Sequence, residues 1–294
     1  MINAAAFPHL IDAILANAGP DALESFRTTS RLFRDRVDAL FASRLKHAIL
    51  SSSNGIIVTA RDGTYAGIRA PLTQVMRDRC ALVGVLEIET SNPAISELTA
   101  HMNPACVILH PTTGPGMIPI KAHMVLAVYT PGEYPFIISA ESVVIEYRPV
   151  PDSPAPTCSS RACTAVLDWL PPIKAKEVIL NFRQVSELPE AHAAQLLRAV
   201  AKLILGGANI LMVAADRAFA YDSAVGTREH ELPGHAMYAL VGHMFAEAHS
   251  RVSVPMGPRV AAMVNSQVAK ALERCKVTPL EEWMAIQKPG SVEV

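Results

Sequence analysis

The sequence predicts an α/β protein: a short three-helix unit over residues 1–50, then an α/β domain with a largely parallel sheet over residues 51–294. Three observations predict this class. Apolar residues at helical spacing fill the first fifty positions. Strand-length β-branched runs recur through the rest. One complete strand–helix–strand unit is legible between residues 177 and 214. A chain of 294 residues can bury a sizeable core. With half its residues hydrophobic and 18% charged, it reads as globular.

The first helix follows from "FPHLIDAILANAGP". Pro8 suits a first helical turn, where a missing N–H costs nothing, and Leu10, Ile11, Ile14 and Leu15 share one face. Asn17, Gly19 and Pro20 stop it. Asp21 is the expected cap of a brief second helix presenting Leu23 and Phe26. Thr28, Thr29 and Ser30 offer caps for a third, with Phe33, Val37, Leu40 and Phe41 at i, i+4, i+7 and i+8. So small a unit with so many large apolar residues implies burial against something else, either the rest of the chain or a second protein.

Arg27, Arg31 and Arg34 form a stripe that invites comparison with a DNA-binding helix. Six basic residues against five acidic ones in residues 1–50 make a poor footprint for phosphate, and no nucleic-acid partner is expected.

These residues carry a family resemblance. Phe7-Pro8, the Leu10-Ile11 and Ile14-Leu15 face, Pro20-Asp21-x-Leu23, Thr29-Ser30-Arg31-x-Phe33-Arg34 and the closing Leu40-Phe41 resemble an F-box over residues 7–45. Phe7, His9 and Thr29 depart from the family's usual Leu, acidic residue and Val. The resemblance implies docking onto the Skp adaptor of a Skp–cullin–F-box ubiquitin ligase, in the manner of a helix in a groove. Its partner-binding residues would be Phe7, Pro8, Leu10, Ile11, Ile14, Leu15, Leu23, Phe26, Ser30, Arg31, Phe33, Val37, Leu40 and Phe41. The rest of the chain would recruit a protein substrate.

In the remaining residues, G-I-I-V-T (55–59), V-L-E-I-E (85–89), C-V-I-L-H (106–110), M-V-L-A-V-Y (124–129), S-V-V-I-E-Y-R (142–148), E-V-I-L-N-F-R (177–183) and N-I-L-M-V-A (209–214) read as strands. Between the last two, the segment after Ser186 has helical periodicity through Ile204 and stops at Gly206-Gly207, which makes a βαβ crossover with parallel strands. Two later segments, from Gly234 and from Pro258, read as helices. "RVSVP" between them is a candidate strand, and a last helix begins at Pro279 and carries Trp283.

A parallel sheet with irregular crossovers resembles a degenerate leucine-rich repeat, the domain that often follows F-boxes in fungal proteins. A three-layer α/β domain is the alternative. The strands alternate sharply in polarity, so one sheet face is partly solvated. Its polar set, Glu87, Glu89, Glu146, Arg148, Asn181 and Arg183, is a candidate substrate-recruiting surface.

Few motifs of catalysis survive inspection. "HELPGH" at 230–235 has one residue too many for H-E-x-x-H, and Pro233-Gly234 breaks the helix that such a zinc site needs. No nucleophile elbow, P-loop or dinucleotide fingerprint occurs. Five scattered cysteines, with only Cys158 and Cys163 close, suggest reduced thiols in a cytoplasmic or nuclear protein. The net charge is −1 and the longest apolar stretch, Leu203 to Ala215, is too short to span a bilayer, so no membrane is expected. The sequence therefore predicts a non-enzymatic adaptor without metal or cofactor. The competing readings are an α/β enzyme with a helical cap and a non-ligase interaction protein.

Overall fold

The computed structural model describes residues 7–51, 57–92, 95–112, 117–129, 136–148, 170–185, 188, 190–219, 234–252 and 257–286. The chain divides into two compact units, Met1–Ala122 and His123–Val294. Cys158, Cys163, the 230–233 portion of "HELPGH" and most of "RVSVP" lie outside the described residues.

The first unit opens with three helices, α1 (Pro8–Asn17), α2 (Pro20–Thr29) and α3 (Arg31–Arg44). Local chemistry sets their ends. Pro8 and Pro20 each occupy a first turn, where the imide costs no hydrogen bond. Gly19 rather than Asp21 is the N-cap of α2. Asp21 sits inside the first turn instead, where its charge faces the positive end of the helix dipole. Ser30 caps α3 as expected, its Oγ accepting from the Phe33 N–H at 3.3 Å. Ser30→Ala is therefore expected to cost about 1 kcal/mol of stability. Urea denaturation of the full chain followed by circular dichroism measures this, with Ser30→Thr as the conservative control.

After α3 come β1 (His47–Ser51), β2 (Ile57–Ala60), β3 (Tyr65–Arg69), α4 (Gln74–Cys80), β4 (Val85–Ile88), α5 (Ile95–Ala100) and β5 (Cys106–Leu109). The strand order is β3-β2-β1-β4-β5. The β1–β2–β3 ribbon is antiparallel, and β1, β4 and β5 run parallel. The domain boundary drawn at 50/51 falls inside β1. The reason is packing: Ile11, Leu15, Leu23, Val37 and Phe41 share one buried cluster with Tyr65 of β3. The three helices complete their core on the sheet that follows them.

Arg79 of α4 fastens that junction. Its Nη1 donates to Glu24 Oε1 at 2.7 Å and to the Gly67 carbonyl at 2.8 Å, and its guanidinium carbon lies 4.1 Å from the Phe41 ring centroid. Arg44 adds a second tie, donating to the Tyr65 carbonyl at 2.8 Å and the Ala16 carbonyl at 3.0 Å. Arg36 reaches Asp12, linking α3 to α1.

The strand β6 (Ile118–Tyr129) begins in the first unit and ends in the second. The second unit continues with β7 (Phe136–Tyr147), β8 (Ile173–Lys174), β9 (Glu177–Asn181), α6 (Glu190–Leu205), β10 (Asn209–Val213), α7 (Ala215–Ala218), α8 (Gly234–Ser250), α9 (Pro258–Leu272), β11 (Cys275–Thr278) and α10 (Leu280–Ile286). Here β7, β9, β10 and β11 are parallel neighbours in chain order, with β8 also parallel to β7. The β9–α6–β10 crossover is the βαβ unit expected from the sequence, and Gly207, at φ +100, follows the end of its helix.

Leu196, Leu197, Val200 and Ile204 form the buried face of α6, which packs with α8. At the carboxyl ends of β7 and β9, Tyr147 stacks on Phe182 with centroids 4.8 Å apart. Tyr129 and Phe219 meet this pair edge-on. No helix among the described residues is long and apolar enough to cross a membrane.

Candidate functional site

The predicted docking residues separate into two sets. Ile11, Leu15, Leu23, Val37 and Phe41 are buried inside the first unit, where they hold the helices together. They are therefore core and not surface, a correction to the apolar seam read from sequence. Phe26, Phe33 and Leu40 are half-buried against the same cluster, Phe26 and Phe33 stacked at 5.5 Å.

Phe7, Pro8, Leu10, Ile14, Ser30 and Arg31 face outward. Among them Phe7, Leu10 and Ile14, at i, i+3 and i+7, remain 49%, 43% and 41% exposed. One helix thus carries two apolar stripes: one closes the core, and the other meets water.

The polar set assigned to the sheet face also divides, one group in each unit. In the second unit Glu146 and Asn181 are register partners on β7 and β9. Glu146 accepts from Gln184 Nε2 at 2.8 Å, and the Asn181 side-chain oxygen accepts from the Arg183 N–H at 3.0 Å. Arg148 and Arg183 are exposed, and Arg148 Nε lies 4.0 Å from Glu146 Oε1. This is a solvated polar surface in which one carboxylate, Glu146, stands near the exposed Arg148.

In the first unit the arrangement differs. Parallel pairing aligns Ile49, Glu87 and Ile108 across β1, β4 and β5. Their neighbours Leu50, Leu86, Ile88, Val107 and Leu109 face the core, so Glu87 and Glu89 point to the opposite, half-open face. Two residues before Ile49 stands His47, and two residues after Ile108 stands His110, both on that same face. His47 Nε2 lies 3.1 Å from Glu87 Oε2, and His110 Nε2 lies 2.6 Å from Glu87 Oε1. The Glu87 side chain is 17% exposed, and each of its oxygens is held by one imidazole.

Donor atoms of Glu87, Glu89 and His110 all lie within 4.8 Å of one another. Neither carboxylate is paired with Arg or Lys among the described residues. The stretches that follow these strands in the sequence, 52–56, 90–94 and 111–116, contain neither residue type.

Glu87 and Glu89 are legible in the sequence by their alternation with Leu86 and Ile88, whereas the part played by His47 and His110 is not. His110 was visible as the residue ending a strand run. His47 carried no signal, because β1 reads as a continuation of the preceding helix. Their convergence depends on the β1-β4-β5 order, which no local pattern encodes.

The described thiols do not offer a nucleophile. Burial pushes Cys80 up to about 11 and Cys275 up to about 12, and it raises Cys106 as well, so all three stay protonated and inert at neutral pH. Desolvation likewise favours neutral His192 and His243 in the second unit.

Comparison with family models, curated proteins and solved structures returns no match for this chain.

Proposed function

We propose that the chain is a substrate-recruiting adaptor whose N-terminal helices dock onto a Skp-family protein of a cullin ubiquitin ligase. The observation that carries this reading is the outer stripe of α1. Phe7, Leu10 and Ile14 lie in water while Ile11 and Leu15, on the same helix, are buried. Exposed large side chains aligned at i, i+3 and i+7 are the pattern with which an amphipathic helix enters a partner's groove. Leu32, at the start of α3, is also 42% exposed. The F-box resemblance of residues 7–45 supplies the identity of the partner.

The solvated polar face of the second unit, with Glu146, Arg148, Asn181 and Arg183, then serves to hold a protein substrate. The mechanism is proximity. Tethering the substrate to the ligase raises the effective concentration of its lysines at the ubiquitin-loaded enzyme, with no chemistry by this chain.

Coexpression of the full chain with a Skp-family adaptor, followed by pull-down, tests the reading. Leu10→Glu/Ile14→Glu is the informative variant, because both residues are exposed and the core stays intact. Central apolar anchors contribute about 2 kcal/mol or more each, so the double variant should lose binding by roughly a thousandfold. Ile11→Ala would be uninformative, since it also damages the helical core. A folded wild type that is not retained, or a double variant retained as well as wild type, removes this reading.

A further inference from the structure

We propose that Glu87, Glu89 and His110 form a binding site for a divalent first-row transition cation, with His47 positioning Glu87 from outside the coordination shell. The donor set is mixed, two carboxylates and one imidazole. That combination suits zinc, manganese or iron(II) better than the all-oxygen shells preferred by magnesium and calcium. Their donor atoms lie within 4.8 Å of one another. Metal–donor bonds of about 2.0–2.2 Å place neighbouring donors roughly 3–3.5 Å apart, so a cation seats here after side-chain rotations alone. The Glu87–His110 contact of 2.6 Å is the one that must open, and the cation then takes its place.

Two further observations separate this group from an ordinary acidic patch. The first is the lack of a permanent countercharge. Glu87 and Glu89 stand close together on a half-open face, neither is paired with Arg or Lys among the described residues, and histidine is not a permanent cation. A divalent ion between them replaces repulsion by attraction.

The second is the support around the donors. Glu87 presents one oxygen to the cluster while His47 holds the other at 3.1 Å, the arrangement by which metal-binding carboxylates are kept oriented. The group also lies at the carboxyl ends of parallel strands β4 and β5, where open α/β sheets place their ligand sites. Three protein donors leave at least one coordination position for water or an anionic oxygen of a bound molecule.

Titration of the full-length protein with Zn²⁺ alone, by isothermal calorimetry, tests the site, with Mg²⁺ and Ca²⁺ as controls. Other histidines offer adventitious binding, so the variants decide. Glu89→Gln replaces an exposed anionic donor by a weaker neutral one without touching the core, and His110→Ala removes the imidazole. Each is expected to abolish the tightest, one-to-one phase or to weaken it at least tenfold, with wild-type circular dichroism. His47→Ala should weaken it by about tenfold through misorientation of Glu87.

Absence of a saturable one-to-one phase overturns the proposal. So does a phase that survives both Glu89→Gln and His110→Ala unchanged. The adaptor pull-down involves α1 alone, so the two proposals stand or fall separately.

Discussion

Replacing Arg79 with methionine is expected to lower the stability of the first unit by about 2–4 kcal/mol. Arg79 is 5% exposed, an uncommon burial for a permanent cation. Its charge is matched by Glu24 at 2.7 Å and Asp38 at 3.4 Å, and its Nη1 also satisfies the Gly67 carbonyl at 2.8 Å. Methionine keeps much of the apolar stem but leaves the Gly67 carbonyl without its donor and Glu24 without its cation, while Asp38 keeps its pair with Arg27 at 2.8 Å. The acids are 31% and 41% exposed and can turn to water, which keeps the cost below that of a fully buried broken pair. Arg79→Lys retains the charge and loses the fork that spans Glu24 and Asp38 together, so it should fall between methionine and wild type.

Arg69→Ala is the control. Its pair with Asp21 spans 3.0 Å between side chains 45% and 86% exposed, so its loss should cost no more than about 0.5 kcal/mol. Thermal denaturation of the four proteins checks the ranking. An Arg79→Met protein as stable as wild type would mean that desolvation of the guanidinium cancels all its interactions.

The difference between what was legible in sequence and what was not follows the range of the interaction. Three helices announce themselves through local chemistry: α1 by Pro8 at its opening, α3 by Ser30 at its cap, and α6 by its apolar period, whereas the short α4, α5 and α7 do not. The strands β4, β5, β9 and β10 were visible as β-branched runs of the right length. The strands β1, β3 and β11 were not. His47–Ser51 follows α3 after only two residues and continues its apolar pattern. Tyr65–Arg69 contains a glycine, which weakens any strand signal. Cys275–Thr278 holds a single β-branched apolar residue, Val277.

The site was divided in the same way. Glu87 and Glu89 stood out by alternating with buried neighbours two positions apart. Their meeting with His47 and His110 spans sequence separations of 40 and 23 residues, and only the strand order creates it. Arg79 offered no local sign either. Nothing around it distinguishes it from Arg77, which stays at the surface. The same distance dependence corrects the docking seam. Helical periodicity placed Leu10 and Ile11 on one face, yet a helix between a core and solvent uses adjacent residues for opposite purposes.

Gly67→Ala should destabilise the first unit by roughly 2–4 kcal/mol, through two separable causes. The backbone at Gly67 has φ +87, in the left-handed region, so any Cβ there is strained. Space is the second cause: a Cβ would lie 2.7 Å from Phe41 Cγ, 2.8 Å from Phe41 Cδ1 and 3.0 Å from Arg79 Nη1. Phe41 is fully buried and has Arg79 over its ring, so it has little room to yield.

Gly63 separates the two causes. It has φ +81, and a methyl group there would meet nothing within 4 Å, so Gly63→Ala reports backbone strain alone, about 1 kcal/mol. The excess of Gly67→Ala over Gly63→Ala is then the cost of crowding Phe41. Phe41→Leu in the Gly67→Ala background should recover part of that excess, giving a coupling of about 1 kcal/mol in a double-mutant cycle. Equal losses for the two alanine variants would show that Phe41 moves aside freely. In that case the junction between the helices and β3 would be looser than its close contacts imply.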